Sequence, residues 1–453
     1  MAENSGNRLT TFVPPAPSRA MIALTRPINR WLMLAGTPLL RNLPLFGRLP
    51  GVSGLCDVRS IDLPRADEAR LAAVCGPGKA TFIAPNHPEF FTDWMIDKEI
   101  IGRVSPMAAS WATNGVVNGM GRLMQRFWLA NNLIAQIPGN AGDARAHSVA
   151  WAKAGHGVLL HPEGAVGWHG DWVAPLLPGT AEMAVEALVR GRSEQGDFEA
   201  WIAPVVWKLQ FLHDAERGLH AECAYVERRL GLTRAGATPA ERIFAIYDEL
   251  LRRDAEVEGV PLGTEPTFAA RHEHLAFELA RLLAETIGTN GNAVSPAEVL
   301  RAARRWQREH RDQRAEPHVR VRKLADRLQR VLRIGPYAWH SAEMTQEQAA
   351  GHLKRLRSDW CTGTLRDGFN RFVPRPVGPR RAIIRVPEPI PVHDFAGDAA
   401  SLTDILRQRL QEALDGINRQ IEGEGGFRRY SNPCFTQGNN VGRSPAPRRQ
   451  ATP

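Results

Sequence analysis

Three short apolar runs separated by helix-like stretches constrain this chain more than any other feature. They are Ala80–Ala84 (ATFIA), Gly157–Leu160 (GVLL) and Trp201–Trp207 (WIAPVVW). A strand with one wet face alternates polar and apolar residues, whereas a continuous apolar run suits a strand covered on both faces. Between the second and third runs, Gly179–Val189 (GTAEMAVEALV) has helical spacing. Strands alternating with helices predict an α/β domain with a largely parallel sheet. Asp57–Leu63 (DVRSIDL) alternates like a further strand, and Ala66–Cys75 reads as a helix closed by Gly76-Pro77-Gly78. Pro204 within the third run suggests the edge of the packed region or a bulge. The 453 residues are 43% hydrophobic and 23% charged. That is enough to bury a core, and it excludes a disordered chain, a collagen or a coiled-coil rod.

From 213 to 375 the pattern changes to long helices, including Pro239–Arg253 and Thr267–Ile287. Ser295-Pro296-Ala297-Glu298 is a strong helix start, with a serine cap, proline in the first turn and a glutamate reaching back. Strand character returns at Arg381, and Ser401–Ile421 reads as an amphipathic helix with a weaker capping box, Ser401 to Asp404. The expected organisation is a polar, disordered 1–18; an amphipathic membrane-interface segment at 19–50; an α/β core at 57–212; a large helical insertion at 213–375; a closing strand and helix at 380–421; and a disordered tail at 423–453. No internal repeat is found. Met21–Leu49 carries four arginines and three prolines, too many interruptions to span a bilayer. Its leucines, Trp31 and Phe46 interleaved with arginines suit a segment lying in the interface, and also a pair of short helices covering the protein's own core. No signal peptide is apparent. The five cysteines are scattered without a CxxC pair, which argues against a zinc site or disulfide framework and for a reducing compartment.

Two segments carry chemistry. Asn86-His87 follows the first apolar run, and Asp93 lies six residues beyond His87. Polar groups beyond the carboxyl end of a buried parallel strand sit where α/β folds place their sites. A histidine there can take a proton from a hydroxyl, and a carboxylate on its other ring nitrogen fixes the tautomer and stabilises the imidazolium. His161-Pro162-Glu163-Gly164 follows the second run. Its carboxylate can bind an acceptor hydroxyl or anchor a cation. Taken singly, a histidine near a carboxylate is expected by chance among 14 histidines, and a strand-to-loop turn explains the second segment. His272 and His274, two apart on a helix, cannot face one way and make no metal site.

In this order, Asn-His with a following Asp, then Pro-Glu-Gly, then a glycine-led helix and a Pro-Val-Val strand, the chain resembles the glycerolipid acyltransferase family, the 1-acylglycerol-3-phosphate acyltransferases among them. The family pattern is Asn-His-x4-Asp, a middle motif with an arginine, Phe-Pro-Glu-Gly-Thr-Arg-Ser and a Val-Pro strand. The closing Ile383–Val392 and the Ser401 helix also resemble the family's end. The resemblance covers about 57–210 and 380–421. It implies that His87 is the catalytic base and Asp93 its orienting carboxylate, and that Asn86, Glu163 and Gly164 line the acceptor site. The implied reaction is direct attack of an acceptor hydroxyl on the thioester of acyl-CoA or acyl carrier protein, with no metal and no bound cofactor.

The chain departs from the pattern in three places. The His87–Asp93 spacing is x5, so either a local bulge absorbs one residue or Thr92 takes the aspartate's place. Ala165 and Val166 stand where the third motif has threonine and arginine, and the middle motif's arginine is not evident. Arg145 or Arg122 would have to substitute as the group holding an acceptor phosphate. The resemblance implies a glycerol phosphate, a lysophospholipid or a related lipid as acceptor, and the missing arginines point within that range to one without the phosphate of glycerol 3-phosphate: a lysophospholipid, another lipid alcohol or an amine. The alternative is a catalytically impaired lipid-binding protein on the same fold.

The formal net charge is +9, and Arg301–Arg333 carries nearly all of it, with eleven arginines and Lys323 against four acids. A charge run is usually a solvated helix face. As a docking surface it would suit an anionic membrane or an acidic acyl carrier. Nucleic acid is not expected, because aromatic interleaving is sparse and no motif for it appears. The expected location is cytoplasmic, peripheral on the inner face of the membrane.

Overall fold

The apolar runs become the centre of a mixed sheet covered on both faces. The structure is a computed structural model. It describes residues 11–33, 55–137, 141–168, 170–262, 265, 267–289, 295–310, 316–372, 376–426 and 428–435. The strands are β1 (Val58–Asp62), β2 (Lys79–Pro85), β3 (Ala109–Thr113), β4 (Leu133–Gln136), β5 (Val158–Leu159), β6 (Glu199–Phe211), β7 (Glu343–Thr345), β8 (Arg380–Arg385), β9 (Ile390–Pro391) and β10 (Arg429–Ser431). The helices of the first part are α1 (Arg19–Met33), α2 (Arg65–Ala73), α3 (Thr92–Val104), α4 (Asn114–Val117), α5 (Arg122–Ala130), α6 (Gly142–Lys153) and α7 (Gly179–Glu194). They continue with α8 (Glu216–Leu230), α9 (Pro239–Glu258), α10 (Phe268–Ile287), α11 (Pro296–Glu309), α12 (Glu316–Arg333), α13 (Gln346–Asp359), α14 (Leu365–Phe372) and α15 (Ala399–Gly423). Among the described residues, no helix is long and apolar enough to cross a membrane.

The sheet order is β1-β8-β6-β2-β5-β3-β4, with β9 added to β6. Strands β6, β2, β5, β3 and β4 run parallel, while β8 is antiparallel to β6. Phe82 and Ala84 face a core shared with α7 and α15, and Ile83 faces one shared with Met33 of α1 and Met95 of α3. Both faces of β2 are thus dry, which is why its sequence does not alternate. Pro204 lies in a central strand rather than at an edge. It pairs with Ala84 on one side, and on the other it falls in the gap between the β9 pairing, which ends at Ile202, and the β8 pairing, which begins at Val206. Its missing N–H is not needed there.

By contacts the chain divides into two compact units: residues 1–215, 350–358 and 362–427 in one, and 216–349, 359–361 and 428–453 in the other. The expected insertion, 213–375, is therefore not of one piece. Residues 350–358, in the middle of α13, join the sheet unit through Lys354, which pairs with Glu89. The second unit is helical, with capping boxes at Thr238–Glu241 and at the expected Ser295–Glu298, and left-handed glycine C-caps at Gly259 and Gly288.

Other expectations shift. Residues 11–18 are partly ordered against α5, with Ala16 and Ser18 N–H groups donating to Leu129 and Ala130 carbonyls. Residues 428–435 of the tail are also structured: β10 pairs antiparallel with β7 and buries Tyr430. The cap of α15 is Asp398, accepting from the Ser401 N–H, and not Ser401 itself. Of the interfacial segment, 34–50 lies outside the described residues, and the rest is the single helix α1.

Candidate active site

The end of β2 is bolted to its neighbour before the chemistry begins. The Asn86 side-chain N–H donates to the Trp207 carbonyl (3.0 Å), and its Oδ1 accepts from the Trp207 N–H (2.9 Å). The amide expected to meet substrate is thus spent on joining β2 to β6, which fixes where His87 leaves the sheet. Phe91 then takes φ +69° and ψ −47° immediately before α3. That tight-turn geometry is rare and strained for a residue with a side chain. It shapes the turn through which His87 and Asp93, six residues apart, come into contact. His87 Nε2 bonds Asp93 Oδ2 at 2.8 Å, and the second Asp93 oxygen accepts from the Trp94 N–H at 2.6 Å.

Thr92 has another task. Its hydroxyl donates to Glu89 at 2.6 Å, and Glu89 also receives Arg380 (2.7 Å) and Lys354. Burial alone would raise the Glu89 pKa, but the two cations outweigh it and hold it down at about 2.

From the end of β5, His161 lies flat on His87, with ring centroids 3.9 Å apart and planes 10° apart. His161 Nδ1 is 3.0 Å from the Asn86 carbonyl oxygen, and Nε2 is 3.0 Å from Asp97 Oδ2. Burial works against a charge on His161, yet Asp97, helped by Asp93 and Glu163, lifts its pKa to about 9. Burial and this cationic neighbour push the His87 pKa down to about 4, against the pull of Asp93. His87 is therefore neutral near pH 7. With Nε2–H pointed at a carboxylate, Nδ1 carries the lone pair, and Nδ1 is buried without a hydrogen-bond partner.

Glu163 is a brace. One oxygen accepts from the His87 N–H (2.7 Å) and the other from the Ala174 N–H (3.1 Å). Burial raises its pKa to about 6 despite those bonds. Gly164 has φ +70°, a backbone conformation that favours glycine; the Leu177 methyl that a Cβ would meet belongs to an exposed side chain that can move aside.

Of the expected site residues, the structure brings together His87, Asp93, Asn86, Glu163 and Gly164. It does not bring Arg145 to this cluster. That guanidinium, on α6, is held by Glu182 (2.8 Å) and Glu186 (2.7 Å) of α7. Arg122 is exposed at the start of α5. Sequence reasoning missed His161 as a second imidazole, and Asp97 as its partner. The available signal was a histidine ending each of two neighbouring parallel strands, with Asp93 and Asp97 one helical turn apart.

Ligand atoms of His87, Asp93 and His161 lie within 4.8 Å of one another, close enough to share an ion. Both nitrogens of His161 are nevertheless already engaged by oxygens, Nδ1 by the Asn86 carbonyl and Nε2 by Asp97. A cleft of about 540 Å³ lies elsewhere, between Val386–Glu388 and α15. Its Arg70, Arg385 and Arg409 are already engaged by Asp67, Asp62 and the Glu388 carbonyl, so nothing there points to a ligand. Compared with known proteins, the chain matches no family model and no curated protein.

Proposed function

We propose that the chain is an acyltransferase that moves a fatty acyl group from the thioester of acyl-CoA or acyl carrier protein to the hydroxyl of a lipid acceptor, with His87 as general base. The observation that carries this reading is the buried, unpartnered Nδ1 of a neutral imidazole whose other nitrogen is tied to Asp93. The motif order shared with glycerolipid acyltransferases supports it. In the proposed step, Nδ1 takes the acceptor's hydroxyl proton as its oxygen attacks the thioester carbonyl. The tetrahedral intermediate then expels the thiolate, and the proton passes from His87 to that sulfur, giving ester and free thiol. Asp93 stabilises the transient imidazolium. Such a base typically supplies ~10²–10⁴ in rate.

With Arg145 committed to two glutamates, it is not the group that would grip an acceptor phosphate, and Arg407 of α15, which faces Glu163, is the cation left beside the site for that task. The proposed partner surface is an anionic membrane, met by α1. Leu24, Ile28 and Trp31 form an exposed apolar stripe on that helix, and Arg19, Arg26 and Arg30 lie along its flank.

The test is turnover of radiolabelled acyl-CoA with a panel of lysolipids. Wild type is expected to acylate one of them. His87→Ala is expected to lose at least about 10²-fold with an unchanged melting curve. Retained turnover in His87→Ala removes the proposed base. A wild-type chain that binds lipid without turnover supports the non-catalytic lipid-binding reading instead.

A further inference from the structure

The His87 site contains a second acid–imidazole pair that the acyl-transfer chemistry does not by itself require. Two His–Asp pairs stand ring on ring: Asp93–His87 and Asp97–His161. Their hydrogen-bond partners make them different. A carbonyl oxygen only accepts, so His161 Nδ1, facing the carbonyls of Asn86 (3.0 Å) and Pro85 (3.3 Å), must carry a hydrogen. The other nitrogen faces a carboxylate, which accepts when ionised. His161 Nδ1 is thus a donor, and Nε2 is one as well when Asp97 is ionised; burial pushes the Asp97 carboxyl up, and the imidazole bonded to it pulls it back down, so the proton is assigned to His161. His87 has one acceptor, Asp93, and one nitrogen with no partner, the pattern of a neutral ring.

We infer that His161, anchored by Asp97, is a positioning residue: a standing imidazolium whose charge, stacked on His87, keeps the His87 ring neutral, so that the tautomer set by Asp93 leaves Nδ1 as proton acceptor.

The surrounding charges fit this assignment. From α3, Asp93 and Asp97 face the pair, and Lys98 lies beside Asp97. From the loop after β5 comes Glu163, and from α15 Arg407 faces Glu163. The nearest three carboxylates favour one cation between the two rings. Two cations 3.9 Å apart in a buried site would repel strongly, so the second ring is neutral in the resting site. His161 has the larger share of acceptors and therefore holds the charge. The consequence is a base that stays unprotonated well into acid. Removing the neighbouring charge should let His87 bind a proton more easily, so the acid limb of any His87-dependent rate moves to higher pH.

The inference rests on His87 being the base of the site, and its test is chosen to stand apart from turnover. The full chain, labelled with ¹⁵N-histidine, is titrated by NMR. At pH 7, His161 is expected to show two protonated nitrogens and His87 a protonated Nε2 with a bare Nδ1. His161→Phe keeps a stacked ring without the charge, and it is expected to raise the His87 midpoint by about one to two pH units. Asp97→Asn, which leaves the stack intact, is expected to raise it as well. A wild-type His161 with a bare nitrogen would place the proton on Asp97 and overturn the inference, as would a His87 midpoint unmoved in both variants. Expected spectra from a chain that turns over no lipid would sink the acyl-transfer reading and leave the proton assignment standing. Turnover with a neutral His161 would do the reverse.

Discussion

At the scale of single residues, Asp93 and Thr92 are neighbours with separable duties. Asp93 accepts from His87 with one oxygen and from its own helix's Trp94 N–H with the other. An asparagine there must keep its carbonyl oxygen on the Trp94 N–H, so its amide N–H₂ turns toward His87. That demands a lone pair on Nε2 and drives the imidazole hydrogen to Nδ1, where it blocks the base. Asp93→Asn is therefore expected to cut turnover by ~10²–10⁴ with little loss of stability. Thr92→Val leaves His87 untouched but removes a 2.6 Å bond to the buried Glu89 carboxylate. It is expected to cost about 1–3 kcal/mol in denaturant unfolding while turnover stays within a few-fold. Paired unfolding and rate measurements on the two variants check this. The reverse order would mean that the aspartate does not orient the base.

At the scale of elements, the join between β2 and α3 decides whether the site exists, because it sets which residue of the first helical turn faces His87. Phe91 holds that register at φ +69°. At an ordinary helix-flanking position, glycine is less stable than alanine by roughly 0.5–1 kcal/mol. Here only glycine adopts the backbone without strain, so Phe91→Gly should be the more stable of the two by about 1 kcal/mol. Both variants lose the ring's packing against the α3 core, and the comparison cancels that loss. Chemical denaturation of the two variants settles it, and an alanine variant at least as stable as the glycine one would show that the turn is not strained.

The same join marks the limit of what the sequence discloses. The apolar runs forecast β2, β5 and β6 because burial on both faces leaves a pattern in composition. The strands β3 and β4 went unread. Ser110, Trp111 and Thr113 make β3 look polar, and β4 is only Leu133–Gln136. His87 and Asp93 were legible as a spaced pair, although their distance depended on one dihedral angle that no residue type announces. The His161–Asp97 pair was hidden because it requires knowing that β5 lies beside β2. The Glu89–Lys354–Arg380 cluster joins residues up to 291 positions apart.

On the scale of the whole molecule, the net charge suggested that the arginine-rich stretch would meet the membrane, and the structure redistributes that expectation. Arg304 is paired with Asp326, Arg320 and Arg327 with Glu258, Arg330 with Asp254 and Arg333 with Asp359. Those charges hold α9, α11, α12 and α13 together, and Arg305, Arg308, Arg322 and Lys323 are left exposed. In α1 the arrangement is inverted: Thr25, Asn29 and Met33 face inward while Leu24, Ile28 and Trp31 are 59%, 48% and 44% exposed. An apolar stripe flanked by three arginines combines insertion with attraction to lipid phosphates, and each basic group near an anionic surface is worth ~1 kcal/mol. The two contributions have different salt dependence, because counterions screen charge and leave apolar burial in place. Binding to vesicles containing anionic phospholipid is therefore expected to weaken on going from low to high salt. Replacing Arg19, Arg26 and Arg30 by glutamine should weaken it chiefly at low salt, by roughly 100-fold for three such charges. Replacing Leu24, Ile28 and Trp31 by alanine should weaken it at every salt concentration. Neutralising the five exposed cations of α11 and α12, Arg301 with the four just named, should change binding less than either. Vesicle co-sedimentation across a salt series reads all four chains together, and binding lost on neutralising α11 and α12 but kept by both α1 variants would move the docking surface from the first unit to the second.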